Sequence, residues 1–219
     1  MVTDHPNQSG RKPNSVSPFF VLLLVVAGIL LCCLSFSADQ TVIDWVKTHD
    51  VTWARELARF LSRYGDWPQL TVLGVIVLGI ARLLRNQKSS KMLICMMLSS
   101  SIAGALVNSV RLTSGRARPN FTEAVREWNG LWNGQQFLLF NNKYHSFPSG
   151  HSSAASAFFG VALFARRRYG GWAFFIAIAI GCSRIYLNVH HLSDVLFGIL
   201  VGTLTAWFVW SRLGSWVKR

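Results

Sequence analysis

Apolar residues in this chain come in long runs separated by short polar stretches, and these runs set the architecture. Six of them stand out, at about 18–38, 67–84, 92–110, 147–165, 172–190 (core 172–186) and 192–210. As a helix, a run of about 20 apolar residues crosses a hydrocarbon core ~30 Å thick while satisfying its own backbone groups. The pattern predicts an all-α fold, an integral membrane bundle of six transmembrane helices. Residues 1–17, rich in Ser, Asn and Pro, read as a disordered cytoplasmic tail, 18–212 as the membrane domain and 213–219 as a second cytoplasmic tail. The first run has a competing reading as a signal peptide, because Ser35-Phe36-Ser37-Ala38 before Asp39 is cleavage-like.

Between the first two runs the rhythm changes. Trp53, Leu57, Phe60 and Leu61 follow helical spacing, while Arg55, Arg59 and Arg63 take another face. This predicts an amphipathic interfacial helix between spans one and two, lying flat on the outer surface. In the third run Ser99, Ser100, Ser101, Ala103, Gly104 and Ala105 are small enough for close helix packing.

Composition supports a membrane chain. Of the 219 residues 51% are hydrophobic and only 14% charged, against about 25% charged in a soluble domain. The net charge of +13 could suggest nucleic acid as a partner, but its distribution excludes that reading. With the amino terminus inside, the short inner segments hold Arg11, Lys12, Arg82, Arg85, Lys88, Lys91, Arg166, Arg167, Arg168, Arg212, Lys218 and Arg219 against one acid, Asp4. The remaining ten basic residues are nearly matched by eight acids, and the Lys/Arg excess of the short inner segments is what the positive-inside rule describes. Both termini are therefore expected in the cytoplasm, and the 111–146 loop and the 183–194 segment on the outer face. Trp45, Trp53, Trp67, Trp128, Trp132 and Trp172 fall at or near the expected interfaces. Cys32, Cys33, Cys95 and Cys182 all lie in apolar runs without metal-ligand spacing, so buried thiols are expected rather than disulfides or a zinc site.

Chemistry concentrates at the outer ends of three spans. Arg111 and Arg118-Pro119 follow the third, Pro148-Ser149-Gly150-His151 opens the fourth, and Ser183-Arg184, His190 and Asp194 follow the fifth. If 183–194 is helical, His190 and Asp194 share one face at i and i+4, and the carboxylate can orient the imidazole. Arginine forks match phosphate oxygens two at a time, and the free N–H groups of a helix start at Gly150 favour an anion. Three arginines meeting two histidines, without a carboxylate cluster, suit a phosphate better than a metal. His191 is expected to be interfacial, Arg116 and Lys143 to be loop charges that attract anions, and His145 to be at most an entrance residue. Asn120-Phe121-Thr122 is read as a chance sequon.

These three clusters resemble the signature of the type 2 phosphatidic acid phosphatase superfamily, K-x6-R-P, P-S-G-H and S-R-x5-H-x3-D. The second and third match at every defined position, and the first differs only in Arg111, where the family usually has lysine. The resemblance implies that His190 is the nucleophile that forms a phosphohistidine, Asp194 its orienting carboxylate, and His151 the general acid and then base. It further implies that Arg111, Arg118, Arg184, Ser149 and Gly150 hold the phosphoryl group, with no metal and no cofactor. The expected substrate is a lipid phosphate or diphosphate, among undecaprenyl diphosphate, phosphatidylglycerophosphate, phosphatidic acid and lipid A 1-phosphate. It would be cleaved at the periplasmic face of a bacterial inner membrane. A lipid phosphotransferase using the same histidine, and a non-enzymatic membrane scaffold, are the alternatives.

Overall fold

The structure, a computed structural model, describes residues 18–121, 128–165 and 167–219. The tail expected at 1–17 lies outside these residues, as do Arg166 of the basic run and Thr122 of the sequon. Among the described residues the fold is all-helical, with two isolated β-bridges, Arg116 to Trp128 and Trp132 to Phe137, in the outer loop. The helices are α1 (Pro18–Thr48), α2 (Thr52–Tyr64), α3 (Trp67–Leu83), α4 (Gln87–Ser114), α5 (Gly150–Ala165), α6 (Arg167–Tyr186) and α7 (Leu192–Lys218). A 3-10 turn, Asn142–Tyr144, interrupts the long loop between α4 and α5.

Each boundary has a local cause. The Asp66 carboxylate accepts the N–H of Trp67 to cap α3, which carries Pro68 in its first turn. Asn86 caps α4 through the N–H of Ser89. At the other end of α4, Gly115 takes φ +61°, and a Cβ there would fall 2.0 Å from the carbonyl oxygen of Gly130. Only glycine fits both the left-handed turn and the loop folded back on it.

The α5 helix is the central post, packed against α4, α6 and α7. Its contact face is small: Ser152, Ser153, Ala154, Ala155, Ser156 and Ala157 are all buried. α7 meets it through Gly198 and Gly202. A Cβ on Gly202 would lie 2.1 Å from Ser156 Oγ, and one on Gly198 would lie 2.6 Å from the Ser149 carbonyl oxygen. Small residues on both helices let the backbones approach this closely. Ser100 Oγ donates to the Ala154 carbonyl and ties α4 to the same post.

Among the described residues three helices qualify as membrane spans by length and apolarity, Val25–Thr48, Gln87–Ser114 and Leu192–Lys218. A fourth arises if α2 and α3, bent by 66° at Gly65–Asp66, count as one broken span. α5 has only 16 residues, and α6 carries charge at both ends. The expected amphipathic helix exists as α2. Its Trp53, Leu57 and Phe60 face outward, while small Ala58 and Ser62 are buried on the side that packs against α6. α1 runs on through Asp39 to Thr48. Cys32 and Cys95 are buried as expected, but Cys33 and Cys182 are exposed on the sides of their helices; all four are free thiols.

Candidate active site

All three sequence clusters meet at one end of the bundle. The Ser114 hydroxyl donates to the Phe147 carbonyl, Ser146 N–H to the Arg116 carbonyl, and Ser149 N–H to the Asp194 carbonyl. These bonds hold the end of α4, the start of α5 and the start of α7 together. The α6–α7 turn joins them through the N–H groups of Val189 and His190, both on the Arg184 carbonyl.

His190 is buried at 2% exposure. It is not on the helix that carries Asp194. α6 stops at Tyr186, Asn188 adopts φ +56°, and α7 begins only at Leu192. The two residues still approach, with Nδ1 of His190 3.6 Å from Asp194 Oδ2. The closer partner is the Ser146 carbonyl, 2.7 Å from Nδ1. A proton on Nδ1 therefore goes to Ser146, the carboxylate stands behind it, and the Nε2 lone pair is left free. Burial, its largest cause, lowers the His190 pKa to about 4, with Asp194 opposing and the Arg184 and Arg118 charges reinforcing it. The imidazole is thus neutral near pH 7, the form a nucleophile needs.

Asp194, fully buried, is a hub. Its Oδ2 accepts from Ser146 Oγ at 2.5 Å, from the His191 N–H at 2.8 Å and from His191 Nδ1 at 3.1 Å. Its Oδ1 accepts from Arg116 at 2.5 Å. Two expectations are corrected here. His191 is buried, not interfacial, because it is the N-cap of α7 and its ring lies against the Asp194 carboxylate. Arg116 is no loop charge: it is 1% exposed and bridges Asp194 to Asp39 of α1, whose Oδ2 lies 2.7 Å away. Asp39 in turn accepts from the backbone and hydroxyl of Ser193 at 2.9 and 2.6 Å. The Arg116 guanidinium also lies against the rings of Phe36 and Trp128, 5.1 and 5.0 Å from their centroids. His145 is buried with Nε2 on the Leu138 carbonyl and so braces the loop, while Lys143 is exposed as expected.

The predicted anion ligands gather around this core. Arg111 sits in the last turn of α4, where Asn108 accepts from it at 2.6 Å and its NH1 stands 3.2 Å from where a Cβ on Gly150 would be. Glycine at 150 leaves that guanidinium uncrowded. Arg118 lies in the loop near Arg111, and burial followed by the Arg111 charge pulls its pKa below the ordinary value. Arg184 closes α6 and contacts the buried Ser62 hydroxyl of α2. The Nε atoms of all three arginines are buried without a hydrogen-bond partner among the described residues. Ser149 turns its hydroxyl into α5, accepting from Ser152 Oγ at 2.9 Å. His151 is mostly buried, and its Nδ1 lies 3.5 Å from Asp66 Oδ1 at the head of α3. Beside it a cavity of about 360 Å³ opens between α3, α4 and α5, lined by Asp66, Trp67, Gly104, Asn108, Arg111 and Gly150 among others. Among the described residues no group of three or more His, Cys, Asp or Glu is placed to hold a metal ion.

The reading of single motifs missed Asp39, Arg116, Ser146, His191, Ser62 and Asp66. For Asp39 a signal existed. Cys32, Ser35, Asp39, Ile43 and Val46, all buried, recur every three or four residues on one stripe of α1.

Fold and site define an all-helical membrane protein with buried arginines and histidines gathered at one end of its bundle. The chain belongs to the PAP2 superfamily, whose model matches residues 91–217. It is 27% identical over 180 residues to the lipid A 1-phosphatase of Rhizobium etli, covering 75% of each chain. It is 25% identical over 210 residues to phosphatidylglycerophosphatase B of Bacillus subtilis, covering 90% of this chain and 93% of that one. A 33% match to the lipid A 1-phosphatase of Rhizobium johnstonii spans 48% of this chain and 40% of that protein's length. The crystal structure of a PAP2-type phosphatidylglycerolphosphate phosphatase from Bacillus subtilis shares the fold at TM-score 0.60 and 23% identity, covering 87% of this chain and 96% of that one. That of Aquifex aeolicus LpxE does so at TM-score 0.58 and 22% identity, covering 79% and 94%.

Proposed function

We propose that the chain is a lipid phosphate or diphosphate phosphatase that works through a phosphohistidine, without a metal, at the outer face of the inner membrane. It is a phosphatase of the hydrolase class. The observation that carries this reading is a buried His190 beside three arginines whose Nε groups are buried and, among the described residues, without a hydrogen-bond partner. Such a cradle suits a phosphoryl dianion, and buried unpaired donors are costly unless a ligand meets them.

In the first step the Nε2 lone pair of His190 attacks phosphorus and the bond to the lipid oxygen breaks. His151 gives its proton to that oxygen, and Arg111, Arg118 and Arg184 hold the three equatorial oxygens. The free N–H groups of Gly150 and His151 at the start of α5 add to this cradle. Asp194 offsets the charge that the phosphorylated ring acquires. In the second step His151 takes a proton from water, the oxygen attacks phosphorus, the P–N bond breaks, and inorganic phosphate leaves. The basic short loops support a topology with both termini in the cytoplasm and the site in the periplasm, in which α1, α3, α4, α5, α6 and α7 are six crossings of unequal length. Lipid A 1-phosphate and phosphatidylglycerophosphate lead the candidates, since the relatives are named for them.

The test is phosphate release by detergent-purified protein in EDTA, from lipid A 1-phosphate, phosphatidylglycerophosphate, phosphatidic acid and undecaprenyl diphosphate, beside His190→Ala. Release spared by EDTA and abolished in His190→Ala is the expected result. No release until an acceptor lipid is added would replace hydrolysis with phosphotransfer. No reaction in either format would leave a scaffold.

A further inference from the structure

The elbow between α2 and α3 contains none of the motif residues, yet two of its polar side chains enter the site. Ser62 of α2 is buried and its hydroxyl meets Arg184. Four residues on, the carboxylate of Asp66 lies 3.5 Å from Nδ1 of His151. Gly65 between them is buried and pressed on α6. A Cβ there would come within 2.6 Å of the Ile180 side chain, itself buried. The 66° bend therefore has a fixed seat, and Asp66 is held by its own role as the N-cap of α3.

The chemistry of His151 gives this contact a purpose. To protonate a leaving oxygen, the ring must hold a proton on Nε2 while Nδ1 is occupied and the ring is aimed. The groups facing it are Arg184 from α6, His190 from the α6–α7 turn, Arg111 from α4 and Arg118 from the loop, together with Asp66 from α3. Among these Asp66 alone is anionic. A carboxylate at Nδ1 fixes the ring's tautomer and orientation.

We propose that Asp66 is the positioning residue of His151, so that the α2–α3 elbow is a fourth segment of the site beside the three motif segments. The site then holds two imidazole–carboxylate pairs: His190 with Asp194 for attack, and His151 with Asp66 for proton delivery. This rests on the reading of His151 as the general acid.

The experiment uses the full-length protein in detergent, as wild type, Asp66→Asn and His151→Ala. Asn keeps the N-cap oxygen that α3 needs, so the helix start is retained. The value of kcat/KM, which reports the steps up to P–O cleavage, is measured with a lipid phosphate and with p-nitrophenyl phosphate. The first leaves as an alkoxide that needs a proton; the second leaves as a phenolate that does not. Inhibition by inorganic phosphate is measured alongside. Asp66→Asn is expected to lower kcat/KM on the lipid by about 10- to 100-fold and on the aryl phosphate by less than about threefold. Phosphate inhibition should stay within about threefold, because the arginine cradle is intact. Equal losses on both substrates, no loss on the lipid, or a shift in phosphate inhibition alone would overturn the proposal. If His151→Ala discriminates between leaving groups and Asp66→Asn does not, the assignment of Asp66 fails by itself. If His151→Ala is also blind to the leaving group, the general-acid reading fails first.

Discussion

Replacing Arg116 tests the buried layer beneath the site. Its guanidinium donates to Asp194 Oδ1 at 2.5 Å, to Ser193 Oγ at 2.7 Å and to Asp39 Oδ2 at 2.7 Å, between two aromatic rings. Arg116→Met keeps much of the apolar stem but leaves two carboxylates buried without that cation. Removing one partner of a buried ion pair costs about 3–5 kcal/mol. A protein of this size melts about 2–4 °C lower for each kcal/mol lost, so a drop of about 6–20 °C is expected. Charge counting then sharpens the test. Asp39, Asp194 and Arg116 together carry −1, Arg116→Met alone carries −2, and Arg116→Met with Asp39→Asn restores −1. The double variant should therefore recover about 1–3 kcal/mol relative to the sum of the singles. Melting of purified protein in detergent reads the stability, and phosphate release reads whether Asp194 stays placed. A loop charge that merely attracts substrate would raise KM in a salt-dependent way and leave melting unchanged. Melting of Arg116→Met within about 2 °C of wild type, or strict additivity in the double variant, would refute the buried-bridge reasoning.

Three further outcomes follow from the same geometry. Gly202→Ala should destabilise by about 1–3 kcal/mol, because its Cβ meets Ser156 Oγ at 2.1 Å and the Ser153 carbonyl at 2.3 Å, whereas Gly79→Ala, with nothing within 4 Å, should not lower the melting point. Arg111→Lys should stay folded and keep activity within about tenfold, since the charge survives and only the two-pronged fork is lost; a folded but dead variant would contradict this. His190, with its pKa lowered from 6.5 to about 4 chiefly by burial, should remain neutral as pH falls through 6, because its folded-state pKa lies well below that pH. Histidine-labelled NMR with His190→Gln as the assignment control reads this directly, and a signal that titrates near 6.5 would refute it.

What could be read from the chain divides by where each residue finds its partners. The helices were legible because apolar runs and their caps are local. So was the set Arg111, Arg118, His151, Arg184 and His190, because each lies at a helix end where polar residues interrupt an apolar run. The layer behind them was not legible. Arg116 beside Arg118 looks like one more solvated charge until Asp39 arrives from 77 residues away, and Asp39 meets Ser193 across 154. His191 was misread for a different reason: continuing a helix through 183–194 turns it away from His190, but the left-handed backbone at Asn188 ends that helix and makes His191 a cap. The elbow was not legible, although α2 carries the expected apolar stripe. The stripe says nothing of Ser62 and Asp66, which enter the site only through the bend at Gly65. The two layers answer different demands. The proposed partner of the arginines is a phosphate whose shape is fixed by chemistry, so their types and spacings can be recognised alone. Asp39, Arg116 and Asp194 must offset one another's charge in a dry interior. Which carboxylate meets which cation there is decided by helix packing, by α7 closing on α5 through Gly198 and Gly202 and by α1 lying along α7.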